Sequence, residues 1–327
     1  MRARNLGRII GSSRLGDVTR LFRRVAGLSY LSPEDFTPSV SPDEAERLRG
    51  LAARARGGGR GPAPILVLGV MPRSGTNFVR DLLAEHPDIH ADPGRLYEFP
   101  LLHAGRAARA FMDEFIAMFP RNEEVLGRWN ALALLSGAWL RELQHEAGKK
   151  HILLKSPHVQ CVSLAPIVFA GAKIVLCLRD GRDVADSSLR TFSRWSPARK
   201  TFAQLAREWK LGTDAILSFG PGGANAHPDV MIVHYENLVA DPDTEIARLL
   251  EHIGIGKERY PFEKLKSMPV RGSSRSQARD TDRWQPREKD RDFKPVGRWS
   301  TWSKRRRARF DKIADQTLKE AGYENSL

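Results

Sequence analysis

The sequence predicts an α/β protein: one main domain with a P-loop-like parallel sheet flanked by helices. Three observations carry this. Short apolar runs alternate with segments of helical period, the pattern of a parallel sheet with crossover helices. The run KIVLCLR is apolar nearly throughout, as in a strand covered on both faces. The stretch ILVLGVMPRSGTNFVRDLL passes from a buried strand through a glycine turn into a helix, which is how such sheets hold phosphate.

In chain order, residues 1–60 read as a basic extension closed by the Gly/Pro-rich joint RARGGGRGPAP, and residues 61–327 as the main domain. Leu6, Ile9, Ile10, Leu15, Val18, Leu21 and Phe22 fall loosely at helical spacing among arginines. This segment is a candidate for peripheral membrane contact or for packing against a second subunit in a homodimer. Strands are expected at 65–70, 151–155, 173–179 and 230–235. Helices are expected at 77–85, 182–192, 201–219 and 241–252, the last capped by Asp241 and stopped before Gly254. Residues 95–149 read as helical and mixed. The polar stretch VRGSSRSQARDTDRWQPREKDRDFKPVGRWS reads as a long loop of the kind that carries function. A last helix is expected over 303–321, where the KRRRAR run is read as a solvated face.

Composition is that of a soluble globular protein, with 41% hydrophobic and 28% charged residues in 327. The net charge of +14 points to an anionic partner or to solubility alone. Cys161 and Cys177 lie in apolar stretches without metal spacing, as core residues of a reducing compartment do, so a cytoplasmic location is expected. No apolar run is long enough to span a bilayer, and the N-terminus lacks the apolar core of a signal peptide.

Chemistry concentrates at two places. In GVMPRSGTNF, residues Arg73 to Asn77 present backbone N–H groups at a helix N-terminus, Gly75 permits close approach, and Ser74, Thr76 and Asn77 add side-chain donors. A metal-binding nucleotide loop would need G-x-x-x-x-G-K-[ST]; here the cation is Arg73, ahead of the glycine. The second place is LRDGRDVADSSLR. Arg179 ends a buried strand and Ser187 follows eight residues later, about two turns into the next helix, so the two can converge on a second phosphate.

Together these elements resemble the sulfotransferases that use 3′-phosphoadenylyl sulfate (PAPS). PRSGTNF, including Phe78, is similar to that family's 5′-phosphosulfate loop, and the Arg179/Ser187 pair to its 3′-phosphate motif. LLKSPHV, IVHYENLVADP and VGRWSTW extend the likeness over roughly 65–324. PRSGT…HPDI and LRDGRDV look closer to the protein-tyrosine sulfotransferases and their bacterial relatives than to the cytosolic enzymes, which tend to carry lysine where Arg73 stands.

The resemblance implies the sulfotransferase fold and metal-independent, in-line transfer of a sulfuryl group from PAPS to a hydroxyl or amine. The acceptor is expected to be a small molecule, a carbohydrate or a peptide. It assigns Lys155, with Arg73, to the sulfuryl or leaving-group oxygens. Two residues compete as general base: Glu98, downstream of the first helix as in the tyrosine enzymes, and His158, three residues past Lys155 near the histidine of the cytosolic enzymes. The reading favours Glu98. Ser273, Ser274, Arg275, Lys294 and Arg298 are candidates for the 3′-phosphate or adenine side, and Trp284 and Trp299 for stacking on adenine or for the core. The rivals are a P-loop kinase, with Asp180 in the role of a metal-binding carboxylate, and a basic nucleic-acid-binding protein. The missing GK[ST] opposes the first, and the absence of any helix-turn-helix, RNP or zinc pattern opposes the second.

Overall fold

The computed structural model describes residues 31–57, 61–192, 200–269 and 294–323. The chain forms a five-stranded sheet in the order β2-β3-β1-β4-β5. Its strands are β1 (Ile65–Gly69), β2 (Ile89–His90), β3 (His151–Ser156), β4 (Lys173–Leu178) and β5 (Val230–His234). Every pairing is parallel. The helices, in chain order, are α1 (Pro33–Phe36), α2 (Pro42–Arg56), α3 (Thr76–Ala84), α4 (Gly105–Met118), α5 (Asn130–Ala147), α6 (Ala165–Val168), α7 (Gly181–Thr191), α8 (Phe202–Leu217), α9 (Tyr235–Ala240), α10 (Pro242–Ile253) and α11 (Lys304–Glu320).

Helices cover both faces of the sheet, which explains why β1 and β4 are apolar throughout. One layer joins alternate β1 and β4 residues (Leu66, Leu68, Ile174, Leu176) to α5, α8 and α11. The other joins Ile65, Val67, Val175 and Cys177 to α3 and α10. Cys161 and Cys177 are free and buried, as expected of core residues. From β1 the chain moves outward to β2 and β3 on one side, and later to β4 and β5 on the other. Strand order therefore reverses about β1, and open sheets of this kind bind ligands outside the carboxyl ends of the strands at such a reversal.

The structure departs from the sequence reading in three places. The described part of the extension, residues 31–57, belongs to the main core: Leu48 and Ala52 of α2 are buried with the β1 and β4 layer, and α2 packs along α5. The apolar period of α2 is what buries it. The edge strand β2, at two residues, is too short to show an alternation in sequence. Helix α9 begins directly at Tyr235, so the helical segment starts one element before the Asp241 cap. Residues 1–30, proposed above for membrane contact or dimer packing, lie outside the described residues. Among the described residues, no helix is long and apolar enough to cross a membrane.

Candidate functional site

The loop after β1, the end of β3 and the turn after β4 meet at the strand reversal. The loop is held by its own bonds. Ser74 Oγ donates to Met71 O (2.5 Å) and accepts from Met71 N (3.1 Å), and Ser74 O accepts from Cys177 Sγ on β4 (3.1 Å). The Ser74 hydroxyl thus braces the turn from inside instead of facing a ligand. Gly75 has φ 94°, and a Cβ there would run into the ring of Tyr235, so two independent constraints require glycine. Gly75 caps α3, whose first N–H groups, at Thr76 and Asn77, have no acceptor one turn back in the helix. Phe78 packs edge-on against Tyr235, with ring centres 5.8 Å apart.

Arg73 is left-handed as well, at φ 83°, without glycine's freedom. Its carbonyl is fixed in that position by Arg179 Nη1 (2.8 Å), and its own Nε donates to Ser187 Oγ (3.0 Å). The two anion elements separated in the sequence are therefore joined at Arg73: Ser187 meets Arg73, and Arg179 supports the Arg73 backbone. Arg179 also donates through Nη2 to Pro295 O (2.5 Å) and lies over the Tyr235 ring, 4.5 Å from its centre. Its buried Nε has no partner among the described residues. A buried guanidinium nitrogen without an acceptor, beside a helix N-terminus, fits an anionic group.

Lys155 links this anion site to a carboxylate. Its Nζ donates to Asn77 Oδ1 (2.7 Å) and lies 3.3 Å from Glu98 Oε1, with the Tyr97 ring 4.2 Å away beneath the ammonium. Burial holds the Lys155 amine below the usual lysine range, with Glu98 opposing the shift. Phe99 N donates to Lys155 O (2.7 Å), which ties the segment 97–99 to the end of β3. The second base candidate is placed differently. His158 stacks on His103 with ring centres 4.0 Å apart, and its buried Nδ1 has no hydrogen-bond partner among the described residues. Burial, with lesser contributions from His103 and Lys200, lowers its pKa to about 3.

The C-terminal segment closes over the start of α7. Asp183 accepts from the backbone N–H of Gly297 (2.7 Å) and Trp299 (3.2 Å), and burial raises its pKa although Arg179 opposes this. Trp299 is stacked by the Arg182 guanidinium, 3.7 Å from the ring centre, and so serves the strap itself. Arg298 is close enough for its charge to favour an ionised Tyr235, although burial raises that phenol's pKa overall. Lys294 is exposed, and Arg298 Nε donates to its carbonyl (2.8 Å). Ser273, Ser274, Arg275 and Trp284 lie outside the described residues. Asp180, the rival kinase's metal-binding carboxylate, is committed to Arg182 at 2.7 Å and to the N-terminus of α7. Among the described residues no cluster of His, Cys, Asp or Glu could hold a metal ion.

A sulfotransferase family model matches residues 64–259, more than half of the chain. The chain belongs to the sulfotransferase family. It is 27% identical to nodulation protein NoeE of Sinorhizobium fredii, over 81% of this chain and 68% of NoeE. Among solved structures, it resembles the sulfotransferase domain from the Synechococcus PCC 7002 olefin synthase, with a TM-score of 0.53 and 19% identity over 83% of this chain and 98% of that one. It also matches mouse sulfotransferase SULT7A1 complexed with PAP, with a TM-score of 0.46 and 14% identity over 86% and 91% of the two chains. The parallel five-stranded sheet with flanking helices agrees with this likeness of fold.

Sequence reasoning missed four residues that build this sulfotransferase's site. Tyr235 packs against Gly75 and under Arg179, and Tyr97 lies under Lys155. Asp183 anchors the strap, and Trp209 donates through Nε1 to Arg179 O (2.9 Å) while filling the space a Gly181 side chain would need. Tyr235 and Asp183 stood inside the quoted segments IVHYENL and LRDGRDV, where an aromatic and an acid beside anion-binding residues were the available signal. Tyr97 and Trp209 gave none, because their partners are distant in sequence.

Proposed function

We propose that this sulfotransferase takes its sulfuryl group from PAPS and delivers it to a hydroxyl or amine, with Glu98 as general base. The observation that carries the reading is the placement of Lys155 between Asn77 of the anion loop and the Glu98 carboxylate. When bound, PAPS would supply an activated sulfuryl group whose low charge can be supported by cationic side chains. The N–H groups of Thr76 and Asn77, with Arg73, would hold the phosphosulfate end, and Arg179 and Ser187 the 3′-phosphate. Lys155 would stabilise negative charge developing between the loop and the acceptor. Glu98, across the ammonium from the loop, would take the acceptor's proton. His158 suits this role less, because burial and the neighbouring imidazole lower its pKa to about 3, which makes it a weak base, and its Nδ1 is enclosed.

Calorimetry with adenosine 3′,5′-bisphosphate in EDTA tests the donor: binding is expected there, and far weaker binding of ATP. Preference for ATP, or loss of binding without Mg²⁺, would overturn the assignment. Transfer of labelled sulfate from PAPS to a panel of alcohols, glycans, peptides and amines identifies the acceptor.

A further inference from the structure

The KRRRAR run, read in sequence as a solvated face, does not take part in the site above. Arg305, Arg309 and Lys312 are exposed and fall at i, i+4 and i+7 along α11. They form one stripe, with rises of ~6 and ~4.5 Å between successive charges. Like charges at this spacing destabilise a helix, and a basic first turn opposes its dipole.

Helix α8 packs beside α11, and cavities open along the seam. One, of about 650 Å³, has Arg190, Phe202, Arg305, Arg306 and Arg309 in its wall. The next, of about 560 Å³, has Arg207, Lys210, Arg309 and Lys312. Arg309 belongs to both, so the two make one groove. The acid lining the first cavity, Asp186, is already taken: it accepts from Trp302 Nε1 (3.0 Å) and Arg190 Nε (2.7 Å) and faces Arg306 at 3.8 Å. Lys210 is paired with Asp214 at 2.6 Å. Among the described residues, Arg305, Arg309 and Lys312 have no ion pair.

We propose that the α8–α11 groove binds an acidic polysaccharide, an unbranched chain with anions on successive units that matches the stripe of cations. The aromatic rings argue against single-stranded nucleic acid, which needs open π-faces on which bases stack. Phe202 and Trp302 are packed edge to face at 5.3 Å, and Arg306 and Arg309 already lie over them. This proposal does not depend on the reaction, and the groove can be tested without donor or acceptor.

The probe is a heparin octasaccharide, with an oligothymidylate of equal charge as competitor, measured by calorimetry at several salt concentrations. The triple variant R305A/R309A/K312A removes the exposed stripe and places good helix formers on α11. R49A/R141A/K149A removes the same charge from exposed positions on α2 and α5 and just beyond α5. The groove variant is expected to lose at least tenfold in affinity for the octasaccharide at physiological salt and to show a shallower salt dependence. The control is expected to stay within about twofold of wild type. Equal losses in both variants would reduce the binding to net charge and overturn the proposal. Tighter binding of the oligothymidylate than of the octasaccharide, lost in the groove variant, would also overturn it by making the groove a nucleic-acid site.

Discussion

On the proposed assignment, the donor side and the acceptor side of this site are built in opposite ways. On the donor side, each turn is locked by short bonds between buried groups: Ser74 to Met71, Cys177 to Ser74, Arg179 to the Arg73 carbonyl, Arg73 to Ser187. On the acceptor side, Glu98 and Tyr97 are partly open, and beyond them α4 and the start of the next turn expose Phe111, Phe115, Met118 and Phe119. An invariant reagent rewards a cradle braced by its own bonds. A wall open to solvent leaves room for acceptors of different shape. The contrast suggests that donor binding and acceptor selectivity rest on different parts of the chain, meeting at Lys155 and Glu98, so substitutions on the two sides should fail in different ways.

The largest expected effect tests whether the acceptor side contributes to chemistry as well as shape. Glu98→Gln keeps the side-chain volume and should leave bisphosphate affinity nearly unchanged while lowering turnover on the order of 10²–10⁴-fold. An unchanged rate would move the base elsewhere and leave the acceptor side with binding alone. Lys155 belongs to both sides, and Lys155→Met should lower turnover on the order of 10²–10³-fold, the scale of a lost oxyanion donor. It should also weaken donor binding, because Asn77 loses its partner. A Lys155→Met enzyme impaired only in donor affinity would assign the lysine wholly to the cradle.

Within the donor side, Arg179→Ala should cost about 1.5–3 kcal/mol, as expected for a charged hydrogen bond, in preference for a 3′-phosphorylated over a 3′-hydroxyl nucleotide. Because Arg73 Nε donates to Ser187, Arg73→Lys should erode the same preference by a smaller amount while keeping a cation in the loop. Competition binding with the two nucleotides measures both. If Arg73→Lys leaves the preference at its wild-type value, the link through Ser187 does not contribute to recognition.

The smallest effect concerns stability. His158 is held neutral, with a folded pKa of about 3 against an unfolded value near 6.5. The unfolded chain therefore binds the extra proton first, and stability should decline as pH falls below about 6.5 and continue to decline toward 3. Urea midpoints at pH 7.5 and 5 should differ less in His158→Gln than in wild type. Identical pH dependence would show that His158 is not held neutral in the fold.

The same contrast explains what could be read from the sequence. The donor side is made of contiguous motifs whose physics is local: a strand, a glycine turn, a helix start, a strand-end arginine. PRSGTN and LRDGRDVADS therefore announced the parallel sheet and two candidate anion-binding elements at strand ends, whereas the strand order, and with it the reversal about β1, did not show in the sequence. That Arg73 meets Ser187 is set by the lateral neighbours β1 and β4, and no local pattern encodes it. The proposed acceptor side is assembled from α4, α5 and the segment 97–99, where the resemblance singled out Glu98 but the mixed periods gave nothing further, and the aromatic partners of Lys155 and Arg179 come from distant stretches. α2 was assigned to an extension because the Gly/Pro joint looked like a boundary, whereas burial of Leu48 and Ala52 depends on α5, far along the chain.

The left-handed backbone at Arg73 has a kinetic consequence. A non-glycine residue pays for that conformation when the chain folds, and the Arg179 bond to its carbonyl holds it there. A loop held by its own protein bonds should need little rearrangement when a nucleotide arrives. Donor capture should therefore proceed in one observable phase whose rate rises linearly with nucleotide concentration and does not level off, leaving residence time as the quantity that distinguishes one nucleotide from another.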